Sequence, residues 1–557
     1  MTLPPAGMAP ASRSRRAVIE AAGVGLVVVV AHLLLRLSGA FAVGALNDDG
    51  VYVALGKAIA EGDGYRSIYL AGAPLHLRYP PGFPLLLALP WALGGTLAAV
   101  RATVAALHPL VAGAAAGLVW WTGRRQLELA PASLALCAVA PFLLDPLIQY
   151  FNIPLTEPYL VLGWAGVLVL TPPLLDPPAA DAVPWAGALA VGLLLAATTL
   201  FRAVGVALIP AVLLALAIHR RWKAAAVCAA AVVVPLLLWE ALRAHWLARG
   251  PVSSQPDDLS YWRWLGVNGP LALAEYAGRT AFRNGVEYVR KLADYLFPIE
   301  SVGIVVVLAA AAAAAAACVR MWRSHTALVL TTLAAAALTL VWPFAQGRLL
   351  LPLLPFLGLL VASSVEVGVR RTPARVRWAL PAALALAAVV VTLRQSELRD
   401  IAARSYASGV LPPPRDLSPT LTLAVRSRFI YHTAGWVRAH TASRDRIMVD
   451  APAAVYLYTN RRTVPASPTE SRLGTSAFAV PGGYLAGRIL ADSVSVVVWA
   501  PPAPELERDI LTIQARCPDV LQRDSTTSTV AFRVRRDEGC LRERVLAVSD
   551  AMRAARP

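Results

Sequence analysis

The chain has 557 residues, of which 57% are hydrophobic and 15% charged. That excludes an ordinary soluble globular protein, in which about half the residues are apolar and about a quarter charged. Its net charge of +17 does not indicate nucleic acid, because the arginines gather at the ends of apolar runs and no aromatic–basic interleaving offers a platform for bases. The basic residues are almost all arginine, with lysine only at Lys57, Lys223 and Lys291. Together with the alanine tracts, this suggests a GC-rich bacterial genome.

The first run, 17–39, follows Arg13, Arg15 and Arg16 and precedes no clear small-residue cleavage site. It therefore reads as a signal anchor retained as the first span. Further apolar runs lie at 102–122, 131–149, 155–174, 185–200, 203–218, 224–243, 301–319, 325–342, 349–366 and 376–393. Each approaches the ~20 residues needed to cross ~30 Å of hydrocarbon, predicting about eleven transmembrane helices. With the N-terminus in the cytoplasm, Arg124/Arg125, Arg220/Arg221/Lys223, Arg320/Arg323 and Arg370/Arg371/Arg375/Arg377 all fall inside, as the positive-inside rule requires. Only the inside loop 175–184 lacks such a cluster.

This orientation holds only if Pro80–Ala99, apolar but carrying Pro80, Pro81, Pro84 and Pro90, does not cross. It is expected to be a re-entrant or interfacial helix on the outer side. Two large outer loops result, 47–99 and 245–300. The second mixes Tyr261, Trp262, Trp264, Tyr276, Tyr288 and Tyr295 with charged residues, a composition typical of the membrane interface. The transmembrane domain then ends at 393. A linker at 394–425 contains Pro412–Pro414, and an extracytoplasmic domain occupies 426–557.

In that last domain Ile430–His440 and Leu506–Ala515 read as helices, and Arg446–Val449, Ser493–Trp499 and Thr529–Val534 as strands, predicting a small α/β fold. Cys137, Cys228 and Cys318 lie in apolar runs and read as core fillers. Cys517 and Cys540 flank the last strand, and outside the cell a disulfide between them is plausible chemistry. The five cysteines form no metal-binding pattern.

The residues able to carry chemistry concentrate in the first outer loop. Asn47-Asp48-Asp49-Gly50-Val51-Tyr52 opens an amphipathic helix, Val51–Ala60. It is followed by Gly62-Asp63-Gly64-Tyr65 and by His76-Leu77-Arg78-Tyr79-Pro80-Pro81-Gly82-Phe83-Pro84. A carboxylate at the membrane boundary can act as general base, while nearby Arg and Lys bind an anionic lipid head group. Taken alone, an Asp pair is as well explained as a helix cap.

The whole series resembles the first outer loop of the GT-C glycosyltransferases, the superfamily of the protein O-mannosyltransferases and the lipid A aminoarabinose transferase. The resemblance continues through Leu155-Thr156-Glu157-Pro158, Leu200-Phe201-Arg202-Ala203-Val204-Gly205 and Gln346-Gly347-Arg348-Leu349-Leu350-Leu351-Pro352, and so covers most of 17–393. It implies a polytopic α-helical, GT-C-like membrane protein with a C-terminal α/β domain, seated in a bacterial inner membrane. The implied activity is transfer of a sugar from a polyprenyl-phosphate donor to an extracytoplasmic glycan, lipid or protein acceptor by inverting displacement.

On this chain the implied base is Asp48 or Asp49, with Asp48 placed first. Lys57, His76, Arg78, Tyr79, Glu157, Arg202 and Arg348 are the implied substrate-binding residues. Arg202 and Arg348 stand at outer span ends, where an Arg can hold phosphate through two parallel hydrogen bonds; the alternative is pairing with an acid such as Glu157. Some relatives hold a divalent metal near this loop with Glu and His. Here His76 replaces the acid of the aminoarabinose-transferase group, so a metal is allowed but not required, and His76 reads as a hydrogen-bond donor to phosphate or sugar. A transporter or flippase would place charges within spans and show internal repeats, and neither is evident. A non-catalytic envelope assembly protein is the other alternative.

Overall fold

The computed structural model describes residues 10–37, 41–175, 185–248, 270–343, 345–373, 379–408, 419–466, 483–499, 504–524 and 529–547. Tyr261, Trp262 and Trp264 of the second outer loop and Pro412–Pro414 of the expected linker lie outside these residues.

Among the described residues, six helices are long and apolar enough to cross a membrane: Arg15–Leu35, Leu97–Arg125, Glu157–Leu175, Trp222–Trp246, Glu300–Met321 and Gly347–Arg371. Pro131–Leu143, Trp185–Phe201, Ala203–Ile218 and Thr326–Val341 are shorter apolar helices in the same bundle. The last apolar run opens the helix Ala379–Ser408. The chain is a multi-pass membrane protein, and within the described residues each apolar run of the sequence overlaps helix.

Close packing builds the first pair. Helix α1 (Pro10–Leu35) lies against α4 (Leu97–Arg125), with Gly25 facing the Gly113 backbone and Gly117 facing Ala21. Small residues let helix backbones approach in lipid, where packing replaces the hydrophobic drive. At one end of this pair, Arg124 Nε donates to Glu20 Oε2 at 3.0 Å. Deeper in the bundle Trp164 stacks on Phe356 with ring centroids 3.8 Å apart, and its indole N–H donates to Thr331 Oγ1 at 3.1 Å.

Residues 47–99 form two helices, α2 (Asp48–Ala60) and α3 (Gly82–Gly94), before α4 begins. At about 1.5 Å per residue the 13 residues of α3 span about 20 Å, too short to cross the hydrocarbon. Leu85, Leu89 and Leu93, one helical turn apart, form an exposed apolar stripe on α3. The opposite face packs on α2, and Trp91 Nε1 donates to the Val53 carbonyl at 3.1 Å.

The C-terminal domain holds a five-stranded sheet in the order β2-β1-β3-β5-β4. Strands β1 (Ile447–Val449), β2 (Thr463–Pro465) and β3 (Val496–Trp499) run parallel, with β1 between the other two. Strands β4 (Leu521–Arg523) and β5 (Val530–Val534) are antiparallel to each other, and β5 is antiparallel to β3. The helices Pro419–His440, Pro452–Thr459, Gly483–Asp492 and Pro504–Arg516 accompany it. Cys517 and Cys540 are joined by a disulfide, with Cα atoms 6.0 Å apart.

This domain is fastened to the 41–99 segment. Leu70 bridges to Thr463 at the β2 edge, and Thr463 N–H donates to the Tyr69 carbonyl at 2.8 Å. Gly44 lies against Ala454 so closely that an added Cβ would clash, and Gly50 packs tightly beside Gly44 and Ala453. The helix Ala379–Ser408 continues past residue 393, and its Arg399 Nε donates to the buried Asp145 at 3.0 Å. Asp145 also accepts from Gln149 and from Thr420, which ties this helix and Pro419–His440 to the bundle.

Candidate functional site

Asp48 begins α2, where the unpaired N–H groups and the helix dipole favour a carboxylate. Asn47 before it adopts a left-handed φ of 70°, a conformation that Asn tolerates better than most residues. This turn sends the two adjacent acids in different directions.

Asp48 points to the open side. Its Oδ1 accepts from the Tyr79 hydroxyl at 2.6 Å and its Oδ2 from Arg348 Nη2 at 2.5 Å. The Asp48 side chain keeps 19% of its exposure and that of Arg348 11%. Burial acts to raise the Asp48 carboxyl's pKa, but the charges of Arg348 and Arg78 and the Tyr79 hydrogen bond outweigh it and hold the group below the ordinary carboxylate range. Arg348 Nε donates to Gln346 Oε1 at 2.8 Å, while its Nη1 is buried with no hydrogen-bond partner among the described residues.

Asp49 points inward and is fully buried. Its carboxylate accepts from the backbone N–H of Gly44 at 2.5 Å and of Leu46 at 3.0 Å, closing the turn that leads into α2. Burial pushes this carboxyl up to about 6, against the two N–H donors, and the neighbouring Asp48 charge adds to the rise.

Tyr79 is held from both sides. Its ring packs on Tyr52 and stacks on His76, with centroids 4.8 and 5.0 Å away. The backbone N–H of Tyr79 can only donate, and it lies 3.2 Å from His76 Nε2, so that nitrogen accepts. The ring proton then sits on Nδ1, which faces Ser67 Oγ at 3.2 Å. Both ring nitrogens are thus engaged within the loop. Arg78 lies over the Tyr79 ring, 5.5 Å from its centroid.

Glu157 and Arg202 form a second, more deeply buried pair. Arg202 Nη1 lies 3.1 Å from Glu157 Oε2 and donates to Thr156 Oγ1 at 2.7 Å, with side-chain exposures of 9% and 1% for the Arg and the Glu. Arg348 is within electrostatic reach of both Asp48 and Glu157, so the two pairs belong to one charged cluster. Lys57 sits at the far end of α2. Its ammonium lies 3.4 Å from the Tyr456 hydroxyl and 3.3 Å from Asn460 Oδ1, facing the C-terminal domain. The structure therefore gathers Asp48, Arg78, Tyr79, Glu157, Arg202 and Arg348, with His76 behind Tyr79, and leaves Asp49 and Lys57 in other contacts.

Arg348 is delivered by an irregular segment after the helix Thr326–Val341. The helix Pro270–Leu296 grips it: Arg283 donates to the Pro343 carbonyl, Asn284 to those of Leu340 and Trp342, and Lys291 to that of Ala345, at 2.6–2.8 Å. Non-helical backbone near a membrane needs such donors. These three residues, with Tyr52, Ser67, Thr156 and Gln346, are the site's supporting groups that sequence reasoning did not single out. Tyr52, Thr156 and Gln346 lay inside the quoted motifs, and a 3.6-residue period over 270–296 was the available signal for the gripping helix. Among the described residues, no three His, Cys, Asp or Glu side chains converge as a metal site.

No protein-family model matches this sequence, and no curated protein sequence matches it. The fold does have solved neighbours. It is similar to ArnT from Cupriavidus metallidurans bound to undecaprenyl phosphate, with 15% identity and a TM-score of 0.52, covering 92% of this chain and 97% of that one. It is also similar to the Archaeoglobus fulgidus oligosaccharyltransferase in complex with zinc and sulfate, with 13% identity and a TM-score of 0.50, over 92% and 73% of the two chains. The same archaeal protein, AglB, in complex with an inhibitory peptide and a dolichol-phosphate, aligns with 11% identity and a TM-score of 0.50, over 93% and 74%. The fold of this chain is therefore like that of ArnT and of the archaeal oligosaccharyltransferase.

Proposed function

We propose that the chain is a membrane glycosyltransferase that moves a sugar from a polyprenyl-phosphate donor to an acceptor outside the cytoplasm, with Asp48 as general base. The observation that carries this reading is the pairing of Asp48 with Arg348, in which a carboxylate and a guanidinium with an unused N–H share the mouth of one cluster. The neighbours' bound undecaprenyl phosphate and dolichol-phosphate support a lipid-phosphate donor. The disulfide in the C-terminal domain supports placing that domain on the oxidising side of an inner membrane, with the N-terminus in the cytoplasm.

The acceptor's hydroxyl or amine attacks the anomeric carbon and inverts it. The bond from that carbon to the donor's phosphate oxygen breaks, and its electron pair stays on the phosphate. The acceptor proton passes to Asp48. Arg348 stabilises the phosphate charge, which is strongest as the bond breaks. When phosphate engages Arg348, Asp48 loses part of the positive charge that holds its pKa low and becomes a stronger base for the same step. The Arg202–Glu157 pair fixes the floor of the cluster, and Tyr79 aims the carboxylate. No step requires a metal.

The test is transfer of radiolabel from polyprenyl-phosphate-linked pentoses and hexoses into envelope material by membranes containing the chain. The expected result is transfer from at least one donor that Asp48→Asn abolishes while expression persists. Movement of label across sealed vesicles without transfer, unaffected by Asp48→Asn, would replace this reading with transport.

A further inference from the structure

At the same end of the bundle as Asp48, the end of α1 and the first turns of α4 border a crevice of about 210 Å³. Its walls are apolar, with Phe41, Val43, Val104 and Ile153 among them, and two guanidiniums, Arg36 and Arg101, face it. Arg36 Nη1 donates to the Ala105 carbonyl at 2.7 Å and Arg101 Nη2 to the Phe41 carbonyl at 3.4 Å. Each guanidinium has five N–H donors and a fixed positive charge. Arg36 Nε is buried without a hydrogen-bond partner, and neither Arg has a carboxylate partner among the described residues.

The depth of these two charges matters. Arg36 follows Arg16 by 20 residues and Arg124 follows Arg101 by 23 along α1 and α4, separations of about 30 and about 35 Å in a helix. Arg36 and Arg101 therefore lie one hydrocarbon thickness from the Arg16 and Arg124 end. That is the level of lipid phosphates, on the side where the positive-inside rule disfavours arginine. A paired cationic crevice at that depth, with apolar side chains beside the two guanidiniums and no carboxylate among its described lining residues, is complementary to a lipid head group.

We infer that this crevice binds the phosphodiester of an anionic membrane phospholipid, whose phosphate bridges Arg36 and Arg101 while its acyl chains run down the α1 and α4 surface. The inference needs only that the chain spans a membrane, and stands apart from the sugar-transfer reading. Because Phe41 and Val43 lead into the turn that Asp49 closes, the bound lipid would brace the approach to α2.

Native mass spectrometry of the full chain in detergent, titrated with palmitoyl-oleoyl phosphatidylglycerol or the phosphatidylcholine of the same chains, tests this. One phosphatidylglycerol per chain should bind in preference to phosphatidylcholine, and Arg36→Gln/Arg101→Gln should weaken it about tenfold or more. Ala102→Trp, which fills the crevice without removing either charge, should also displace it, so that loss is not confined to a variant that folds poorly. Equal binding by wild type and both variants would overturn the site. Displacement of the lipid by millimolar inorganic phosphate would overturn the lipid assignment in favour of a free-anion site.

Discussion

Asp48 and Asp49 are adjacent and chemically identical, yet one turn of backbone gives them opposite surroundings. Asp48 meets Tyr79 and Arg348 at the partly open mouth of the cluster, and its pKa is held down. Asp49 meets two backbone N–H groups in a sealed turn, and its pKa is pushed up to about 6. The difference teaches that position relative to water and counter-charge, not residue type, divides the carboxylate proposed as the base from the one that closes a turn. Asp49 also belongs to the junction where the turn packs on the Pro452–Thr459 helix, so its face of α2 carries the coupling between membrane bundle and C-terminal domain.

The largest expected effect is on the Asp48 face. Arg348→Ala should lower transfer about 10³-fold, because it removes the guanidinium proposed to stabilise the leaving phosphate and also takes from Asp48 its paired counter-charge. Steady-state kinetics with a defined donor would show this, and Arg348→Lys should restore only part of it, since an ammonium lacks the fork geometry. On the other face, Asp49→Ala should leave two backbone N–H groups without their acceptor and lower stability by about 2 kcal/mol. Denaturation in detergent measures it, and transfer by the surviving folded fraction should be close to normal.

The pH dependence of stability sharpens the same contrast. Asp49 has a folded pKa raised from an ordinary value near 4 to about 6. The folded state therefore binds more protons than the unfolded state in that window, and stability falls as pH rises from about 4 to about 6. Asp48, whose pKa is lowered, acts the other way at more acidic pH: its contribution is lost as pH falls. Melting curves across this range should lose the downward slope in Asp49→Asn and keep it in Asp48→Asn. The smallest effect is expected from Tyr79→Phe, about a tenfold loss of transfer, as one hydrogen bond to the charged carboxylate disappears.

Much of the fold was legible because a bilayer imposes a simple rule on sequence. The apolar runs coincide with helices, and the proline-rich run at 80–99 contains a helix of only 13 residues. The C-terminal strands and helices that alternate in the sequence also appear, whereas β2, β4 and the Gly483–Asp492 helix are too short or too mixed to stand out. The helix Pro270–Leu296 was hidden in the stretch 245–300 because its many charged residues lower the mean hydropathy below that of the apolar runs. Within the site, Asp48, Tyr79 and Arg348 could be selected by motif, but no sequence pattern shows that His76 spends both nitrogens on Ser67 and on the Tyr79 backbone. Nor does it show that Lys57 turns to Tyr456, nearly four hundred residues away. Those assignments depend on long-range packing, which only the folded chain supplies.

The most direct test of the division between the two acids is a side-by-side assay of Asp48→Asn and Asp49→Asn with a polyprenyl-phosphate sugar, normalised to folded protein. The expected result is a loss of about 10³-fold in Asp48→Asn and near-normal transfer in Asp49→Asn. Full transfer by Asp48→Asn, or loss confined to Asp49→Asn, would contradict the assignment of Asp48 as the base.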